Sequence, residues 1–411
     1  MSAIATLLLK PGKERSLARR HPWVYAGAVA SVTGAPGNGA LVAVRASDQR
    51  FLAWAAYSPG STIRARCWSF AEADRINADW LAARVDAAVA RRRELHESTD
   101  ALRLVFGEAD GLPGLVVDRY GDYLVVQLQA AGVDAHRELL LDTLCRATAC
   151  PNVFDRSDPA LRAREGLDER GGVLRGAAPA EHVPIRELAL RYRVDLRRGH
   201  KTGFYIDQRD NRRLAGELVP RLRRSLGRAP RVLNCFCYTG GFGIAAACAG
   251  AEAVVSIDSS AEALELARGN AALNGLVTQA GAVAPVRLDW RCADVFEQLR
   301  TLRAEGQRFD LIVLDPPKFA TNQHQVERAA RAYKDINLGA LRLLEPGGAL
   351  MSFSCSGAID VALFQKIVAG AVVDAQADCY LRARLAAGAD HPTLMTHPEG
   401  EYLKGLLLER A

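Results

Sequence analysis

The sequence predicts an α/β protein whose C-terminal half forms a doubly wound, Rossmann-like parallel sheet. A small β-rich domain and a small α+β domain precede this sheet. Three observations support the prediction: strand-like runs alternate with helical patterns from Arg231 onward, short strand-like runs dominate residues 1–75, and residues 76–190 mix both patterns. We therefore expect three domains, at 1–75, 76–190 and 191–411.

The composition is that of a globular protein. Hydrophobic residues make up 49% of the 411 positions and charged residues 24%, and no apolar run approaches the roughly 18 residues that span a bilayer. The apolar segment 4–9 lacks a basic leader and a cleavage site, so we expect no signal peptide. Nine cysteines without a C-x-x-C pair argue against a disulfide framework and a zinc site. A cytoplasmic protein without a metal or a membrane partner is expected.

The excess positive charge is confined to the N-terminal segment. Residues 1–75 hold ten Lys or Arg and four Asp or Glu, which equals the net charge of +6 of the whole chain. A basic, separable module suggests a polyanion such as nucleic acid. A solvated basic surface is the alternative, and charge alone does not decide between the two.

The β-rich domain is predicted from three strand-like runs, 41–44, 51–57 and 63–68. A basic, helix-like segment over 12–25 precedes them and contains Arg19, Arg20 and Trp23. Cationic and aromatic side chains together can grip phosphates and stack on bases, which makes these three residues candidates for RNA binding. A core position is the simpler explanation for Trp23 on its own.

The middle domain is predicted to contain helices and short strands in alternation. We expect helices at 79–97 and 135–148, strands at 115–117, 123–128 and 152–154, and a hairpin turn at Gly121–Asp122. Asp110, Asp118 and Arg119 are candidates for catalysis, but pairing and turn formation explain them better. Alternation in 188–196 suggests a strand or hairpin, and a helix is expected over 207–224.

The C-terminal domain is predicted from regular strand–helix units. The expected strands are 232–234, 253–257, 286–288, 311–314, 349–353 and 401–408, with helices at 242–249, 261–274, 295–304, 325–344 and 360–375.

A glycine-rich turn after the first of these strands marks the expected ligand site. Asn234, Tyr238 and Thr239 precede or begin the turn, and Gly240 and Gly241 allow the backbone to bend sharply and approach a ligand. The spacing is a poor dinucleotide fingerprint. The polar residues instead suit the amino acid tail of a ligand. Acidic side chains at the ends of the next strands, such as Asp258, suit the hydroxyls of a ribose.

The motifs around this turn resemble a known family. Asn-Cys-Phe-x-Tyr-Thr-Gly-Gly-Phe, Asp-Pro-Pro-Lys-Phe and Ser-Phe-Ser-Cys-Ser-Gly are similar to those of class I S-adenosylmethionine-dependent RNA methyltransferases. Arg-His-Pro-Trp at 20–23, Gly-His-Lys-Thr-Gly at 199–203 and Asp-Gln-Arg at 207–209 narrow the resemblance to bacterial large-subunit rRNA 5-methylcytosine methyltransferases of the RlmI type. The resemblance covers nearly the whole chain. It implies an N-terminal PUA domain, S-adenosylmethionine as methyl donor and 23S rRNA as substrate, and it leaves open whether the protein is a homodimer.

The resemblance also implies residue roles. Asp258 would bind the ribose hydroxyls, and Asp294 the adenine amino group. The methionine part would lie against Asn234, Tyr238 and the glycine turn, and the segment from Lys201 to Gln208 would flank the pocket. Asp315 would face both the cofactor and the target base. Lys201 is also a candidate for contact with RNA. Lys318 and Phe319, which follow Asp315, are further candidates, with Phe319 stacking on the base or, alternatively, lying in the core.

Cys355 is the predicted nucleophile. C5 of cytosine is a poor nucleophile, and a thiolate that adds at C6 raises the electron density at C5. Cys355 follows a predicted strand, beside the expected base pocket. Two alternatives remain open: N-methylation of RNA with Asp315 and its proline turn, for which Cys355 is dispensable, and a non-catalytic RNA-binding factor for ribosome assembly.

Overall fold

A computed structural model describes residues 4–276, 286–320 and 322–411 of the chain. It divides into two compact units. The first comprises the chain up to residue 188 together with 194–206 and 389–400, and the second comprises 189–193, 207–388 and 401–411. Within the described residues, no helix is long and apolar enough to cross a membrane.

The first unit begins with a six-stranded sheet in the order β2-β6-β5-β4-β1-β3. Its strands are β1 (Ala5–Leu9), β2 (Trp23–Tyr25), β3 (Val29–Thr33), β4 (Leu41–Arg45), β5 (Phe51–Tyr57) and β6 (Ile63–Ser69). The sequence predicts a helix-like segment over 12–25, but in the structure only α1 (Arg15–Ala18) is helical there. Pro22 interrupts the segment, and Trp23–Tyr25 then pair antiparallel with β6, so sheet pairing overrides the local helical pattern.

A second sheet in this unit has the order β11-β10-β9-β8-β7. Its strands are β7 (Ala101–Phe106), β8 (Leu115–Tyr120), β9 (Tyr123–Leu128), β10 (Asn152–Asp155) and β11 (Gly172–Arg175). The helices are α2 (Ala78–Ala90), α3 (Ala131–Ala135), α4 (Arg137–Thr148) and α5 (Pro159–Arg164). The predicted helix 79–97 ends early, and a 3-10 turn covers Arg93–Glu97. Strand β12 (Val183–Glu187) also belongs to this unit, whereas most of β13 (Leu190–Val194) belongs to the second.

The two sheets of the first unit share a hydrophobic core. Ala56 and Trp68 of the first sheet lie in the same buried cluster as Leu104 and Leu128 of the second. Gly132 of α3 comes so close that an added Cβ would lie 2.4 Å from the Ala56 methyl carbon. The N-terminal sheet thus contributes to this core, and it also has a buried cluster of its own, which includes Leu7 and Val44.

The second unit contains a seven-stranded sheet in the order β16-β15-β14-β17-β18-β20-β19. The strands are β14 (Arg231–Cys235), β15 (Ala253–Asp258), β16 (Arg287–Cys292), β17 (Phe309–Leu314), β18 (Leu344–Ser354), β19 (Cys379–Ala386) and β20 (Lys404–Arg410). β14 to β18 are parallel neighbours, and β20 runs antiparallel between β18 and β19. The predicted doubly wound α/β sheet is thus confirmed.

The described part of the second unit contains these α-helices beside the sheet: α6 (Arg209–Leu226), α7 (Gly241–Cys248), α8 (Ala261–Leu273), α9 (Val295–Ala304), α10 (Val326–Leu343) and α11 (Val361–Ala375). Two features of this unit differ from the expectations. β18 begins at Leu344 rather than near 349, and the edge strand β19 was not predicted. β19 carries polar residues and half-exposed apolar ones without a clean alternation, which hides its strand character.

Candidate active site

The glycine-rich turn joins β14 to α7 in an unusual backbone conformation. Phe236 and Tyr238 have φ of 57° and 48°, and Gly240 has φ of 84°. Left-handed conformations are costly for side-chain-bearing residues, so two of them in one loop indicate a functional constraint. The N–H of Gly240 donates to the carbonyl of Cys237 at 2.8 Å, which closes the turn just before α7 begins.

Asp258, at the end of β15, holds the same turn. Its Oδ2 accepts from the N–H of Tyr238 at 2.8 Å, and its Oδ1 accepts from the N–H of Ser260 at 3.0 Å. A carboxylate has about four acceptor positions, so each oxygen keeps capacity for a further donor. Two adjacent ribose hydroxyls are donors of the matching kind.

Buried polar atoms below the turn fit a polar ligand. Both side-chain polar atoms of Asn234 and the hydroxyl of Thr239 are buried without a hydrogen-bond partner among the described residues. Buried polar groups are almost always paired, so these positions call for a partner from outside the chain or from water. The amino acid end of S-adenosylmethionine offers both donors and acceptors, and the donor set therefore fits this cofactor.

Asp294 lies beyond the next strand of the sheet. Its side chain is exposed and caps α9 by accepting from the N–H of Glu297 at 3.0 Å. The N–H of Ala293, next to it, donates to the main-chain carbonyl of Asp258 at 3.0 Å. The turn, Asp258 and the start of α9 thus form one connected rim along the carboxyl ends of β14 to β16.

Asp315 follows β17 and is bound by a buried amide. Nε2 of Gln208 donates to its Oδ1 at 3.0 Å, and Gln208 itself is 1% exposed. Asn211 donates through Nδ2 to Oε1 of Gln208 at 2.6 Å. These contacts fix which end of the Gln208 amide faces the carboxylate.

Cys355 lies half-buried at the end of β18, next to the loop that carries Asp315. Its Sγ lies 3.8 Å from the carbonyl oxygen of Pro316. The serines on either side are anchored: Ser354 Oγ donates to the Tyr333 hydroxyl at 2.9 Å, and that hydroxyl lies 3.0 Å from Ser356 Oγ. Burial raises the pKa of Tyr333, so its hydroxyl stays protonated. The nucleophile candidate is therefore held in a fixed loop.

Lys318 and Phe319 have different surroundings. Lys318 is exposed, whereas the ring of Phe319 is half-buried and lies 4.8 Å from the Tyr333 ring. The rings of Phe236 and Phe296 lie within 6.5 Å of Phe319. The aromatic cluster favours the core interpretation of Phe319, in which the ring anchors the Pro316–Pro317 loop.

The sequence comparisons match this architecture. A family model of S-adenosylmethionine-dependent methyltransferases matches residues 135–371, and one of PUA-like domains matches residues 7–70. A curated relative from Erwinia tasmaniensis, ribosomal RNA large subunit methyltransferase I, is 45% identical over 97% of this chain and 98% of its own length. This chain belongs to that family of S-adenosylmethionine-dependent methyltransferases. The resemblance predicted from the motifs and the expected cofactor are thereby confirmed.

Two solved structures have the same fold as this chain. A protein from Streptococcus mutans assigned as an S-adenosylmethionine-dependent methyltransferase matches with a TM-score of 0.80 and 20% identity, over 99% of this chain and 100% of its own. A methyltransferase solved in complex with SAH matches with a TM-score of 0.81 and the same identity and coverage.

The PUA-like domain carries the remaining predicted contact residues. Arg19 and Arg20 are exposed. Trp23 is half-buried: its indole N–H donates to Oε1 of Glu108 at 2.8 Å, and its ring lies 4.6 Å from that of His397. The indole N–H of Trp23 is thus engaged in a hydrogen bond within the first unit.

Lys201 belongs to the same unit. It is exposed, has φ of 55°, and its ammonium lies 4.7 Å from the centre of the Tyr205 ring.

Two residues of the methyltransferase site escaped the sequence reasoning. Asn211 fixes Gln208, and Lys404 of β20 donates to the carbonyls of Ser356 and Ile359 at 2.8 and 2.6 Å. Asn211 lies in an ordinary helical pattern and gives no signal. Lys404 does give one, since it is a lone cation at the start of the leucine-rich run 403–408.

Proposed function

We propose that this chain transfers a methyl group from S-adenosylmethionine to C5 of a cytosine in large-subunit, 23S ribosomal RNA. The name of the relative from Erwinia tasmaniensis supports the substrate class. The position of Cys355 supports C5 as the methylated atom: its Sγ lies 3.8 Å from the Pro316 carbonyl oxygen, in the loop that bears Asp315. A thiol beside a base-recognising carboxylate is what addition to C6 requires.

The chemistry assigns a task to each side chain. The Cys355 thiolate forms an S–C6 bond, and the electrons of the C5–C6 double bond make C5 nucleophilic. S-adenosylmethionine would supply an electrophilic methyl group, which C5 takes up as the methyl–sulfur bond breaks and S-adenosylhomocysteine leaves. A base then removes the C5 proton, the double bond re-forms, and the S–C6 bond breaks to release the thiolate. Cys355 is therefore regenerated in each turnover.

Asp315 supplies base selection in this proposal. Its carboxylate can accept a hydrogen bond from the N4 amino group of cytosine, whereas uracil presents an acceptor at that position. Gln208 donates to Oδ1, which stabilises the charged, accepting form of the carboxylate. The target nucleotide is expected to flip out of its stack so that its C5 becomes accessible. Lys318, which is exposed next to the proline pair, suits the phosphates beside that nucleotide.

The deciding experiment traps the covalent adduct. RNA containing 5-fluorocytidine cannot lose a proton from C5, so the S–C6 bond should persist and shift the protein on a denaturing gel. Cys355→Ala should abolish both the shifted band and formation of 5-methylcytidine, and Cys248→Ala, an exposed cysteine at the end of α7, should change neither. Normal turnover by Cys355→Ala would refute the covalent mechanism.

The alternatives give different readouts in the same assays. An N-methyltransferase that uses the Asp315–Pro317 turn yields an N-methylated nucleoside in mass spectrometry and tolerates Cys355→Ala. A non-catalytic assembly factor shows no binding of S-adenosylmethionine in calorimetry. Asp258→Ala, which removes the acceptor at the ribose position, should weaken that binding by about 10- to 100-fold, as expected for loss of charged hydrogen bonds.

RNA binding is assigned to the exposed cations of the PUA-like domain. We expect the double variant Arg19→Gln with Arg20→Gln to weaken RNA binding. The plot of log affinity against log salt concentration should also become less steep, by the amount expected for the loss of about one to two phosphate contacts. Point substitutions are preferable to removal of residues 1–75, because Ala56 and Trp68 belong to the shared core. An unchanged salt slope would contradict the assignment.

A further inference from the structure

Lys404 is a buried cation in an apolar strand. It is 4% exposed, and its neighbours Leu403 and Leu406 are also buried. In the pairing of β18 with β20 it stands opposite Ser354, the residue before Cys355. Its ammonium donates to the main-chain carbonyls of Ser356 and Ile359. Among the described residues it has no carboxylate within 4.0 Å.

A buried lysine at this position destabilises the fold. Moving an ammonium out of water without a carboxylate partner is unfavourable, because carbonyl oxygens only partly replace its hydration. Leucine would fill a β20 position of this kind, as at 406–408. The cost indicates that the charge itself is needed at this place.

The charge acts on the loop of the nucleophile. Both carbonyls that Lys404 binds belong to residues 356–359, which directly follow Cys355. Burial lowers the pKa of Lys404, and the charge of a Cys355 thiolate opposes that shift. An interaction that favours the ammonium next to a thiolate must favour the thiolate next to the ammonium by the same free energy.

We propose that Lys404 is a positioning residue that stabilises the thiolate form of Cys355 and fixes its loop. The proposal rests on the proposed role of Cys355 as nucleophile. The thiol proton leaves to solvent, Lys404 stays protonated throughout, and the thiolate that remains adds to C6. The other ionisable groups that act on Lys404 are Glu401, Asp360 and Lys318, and Tyr333 acts on Cys355.

Alkylation of Cys355 tests the proposal without turnover. The full chain is treated with iodoacetamide from pH 6 to 10, and modification is followed for each cysteine peptide by mass spectrometry. We expect Lys404→Met to slow alkylation of Cys355 at pH 7 by about tenfold or more, since one pH unit in the midpoint is a tenfold change in thiolate. Lys404→Arg should keep the midpoint near that of the wild type. Exposed Cys292 serves as the internal reference.

Two further variants separate charge from packing. Lys404→Gln retains a donor for one carbonyl without the charge. It replaces Lys404→Met if that variant fails to fold, and should show the same slow alkylation of Cys355. Lys366→Met removes an exposed lysine of α11 and should leave the Cys355 profile unchanged. Superimposable profiles of wild type and Lys404→Gln would overturn the proposal. Turnover by Cys355→Ala would instead refute the proposed function, whatever the alkylation profiles show.

Discussion

Gln208 donates a hydrogen bond to Asp315, and Asn211 fixes the direction of this bond by donating to the other end of the Gln208 amide. Asn211 donates to the Gln208 carbonyl oxygen, so the Gln208 amide must point its N–H toward Oδ1 of Asp315, at 3.0 Å. A donor in this position favours a charged Asp315, and a charged Asp315 is an acceptor for an amino group. The chain from Asn211 through Gln208 thus presents a hydrogen-bond donor to the carboxylate of Asp315.

Gln208→Glu tests this polarity. Two carboxylates about 3 Å apart cannot both stay ionised, so one of them takes up a proton more readily than either would alone. At pH 8 we expect a loss of about 10- to 100-fold in kcat/KM, in line with loss of a charged hydrogen bond. As the pH falls to 6, protonation of the pair restores a donor, and the ratio of variant to wild-type kcat/KM should rise. A ratio independent of pH would contradict the assigned polarity.

Gly243→Ala tests the close packing below the glycine turn. An added Cβ would lie 2.9 Å from Ser256 Oγ and 3.2 Å from Asn234 Nδ2. Overpacking of this kind typically costs about 1–3 kcal/mol, and here it would also displace Asn234 from the ligand side. We expect lower stability in urea unfolding and weaker binding of S-adenosylmethionine. Gly269→Ala in α8, which meets no atom within 4 Å, should instead stabilise the protein by up to about 1 kcal/mol.

Much of the site follows from the sequence, because parallel strands bring their carboxyl ends to one edge of a sheet. The turn after β14, Asp258 after β15 and Asp315 after β17 are all covered by that rule, and the structure connects the first two directly through Tyr238. The rule predicts which edge of the sheet carries the site, but it does not predict which side chains form hydrogen bonds with each other. Gln208 precedes α6, and its contact with Asp315 comes from tertiary packing.

The errors have one physical cause, which is that pairing partners override local pattern. Trp23 lies in a basic stretch that reads as helix, yet its strand pairs with β6 and its indole N–H bonds to Glu108. Lys404 begins a strand that is otherwise apolar, and its meaning appears only when Ser354 is seen opposite to it. Non-local contacts of this kind are not encoded in any window of the sequence.

Asp118→Ala should be among the most damaging substitutions in the first unit. Asp118 is fully buried, accepts from Arg103 at 2.7 and 2.8 Å and from Thr202 Oγ1 at 2.6 Å, and so is structural rather than catalytic in this arrangement. Its removal breaks a buried ion pair with Arg103, which typically costs about 3–5 kcal/mol. The matched control is Asp86→Ala, which breaks an exposed pair with Arg146 and should cost about 1 kcal/mol or less. Equal midpoints in urea for the two variants would contradict this reasoning.

His136 should make the protein sensitive to mild acid. Burial lowers its pKa, and its ring lies 6.3 Å from that of Trp68 in a T-shaped arrangement. Because the unfolded chain binds a proton at His136 more readily than the folded one, the contribution to stability is full above a pH of about 6.5 and is lost as the pH falls below it. His136→Gln removes this titration, so its thermal unfolding midpoint should fall less between pH 7.5 and 5.5 than that of the wild type. His182→Gln, at an exposed histidine, is the control and should follow the wild-type curve. Parallel pH curves for His136→Gln and the wild type would mean that His136 titrates alike in both states.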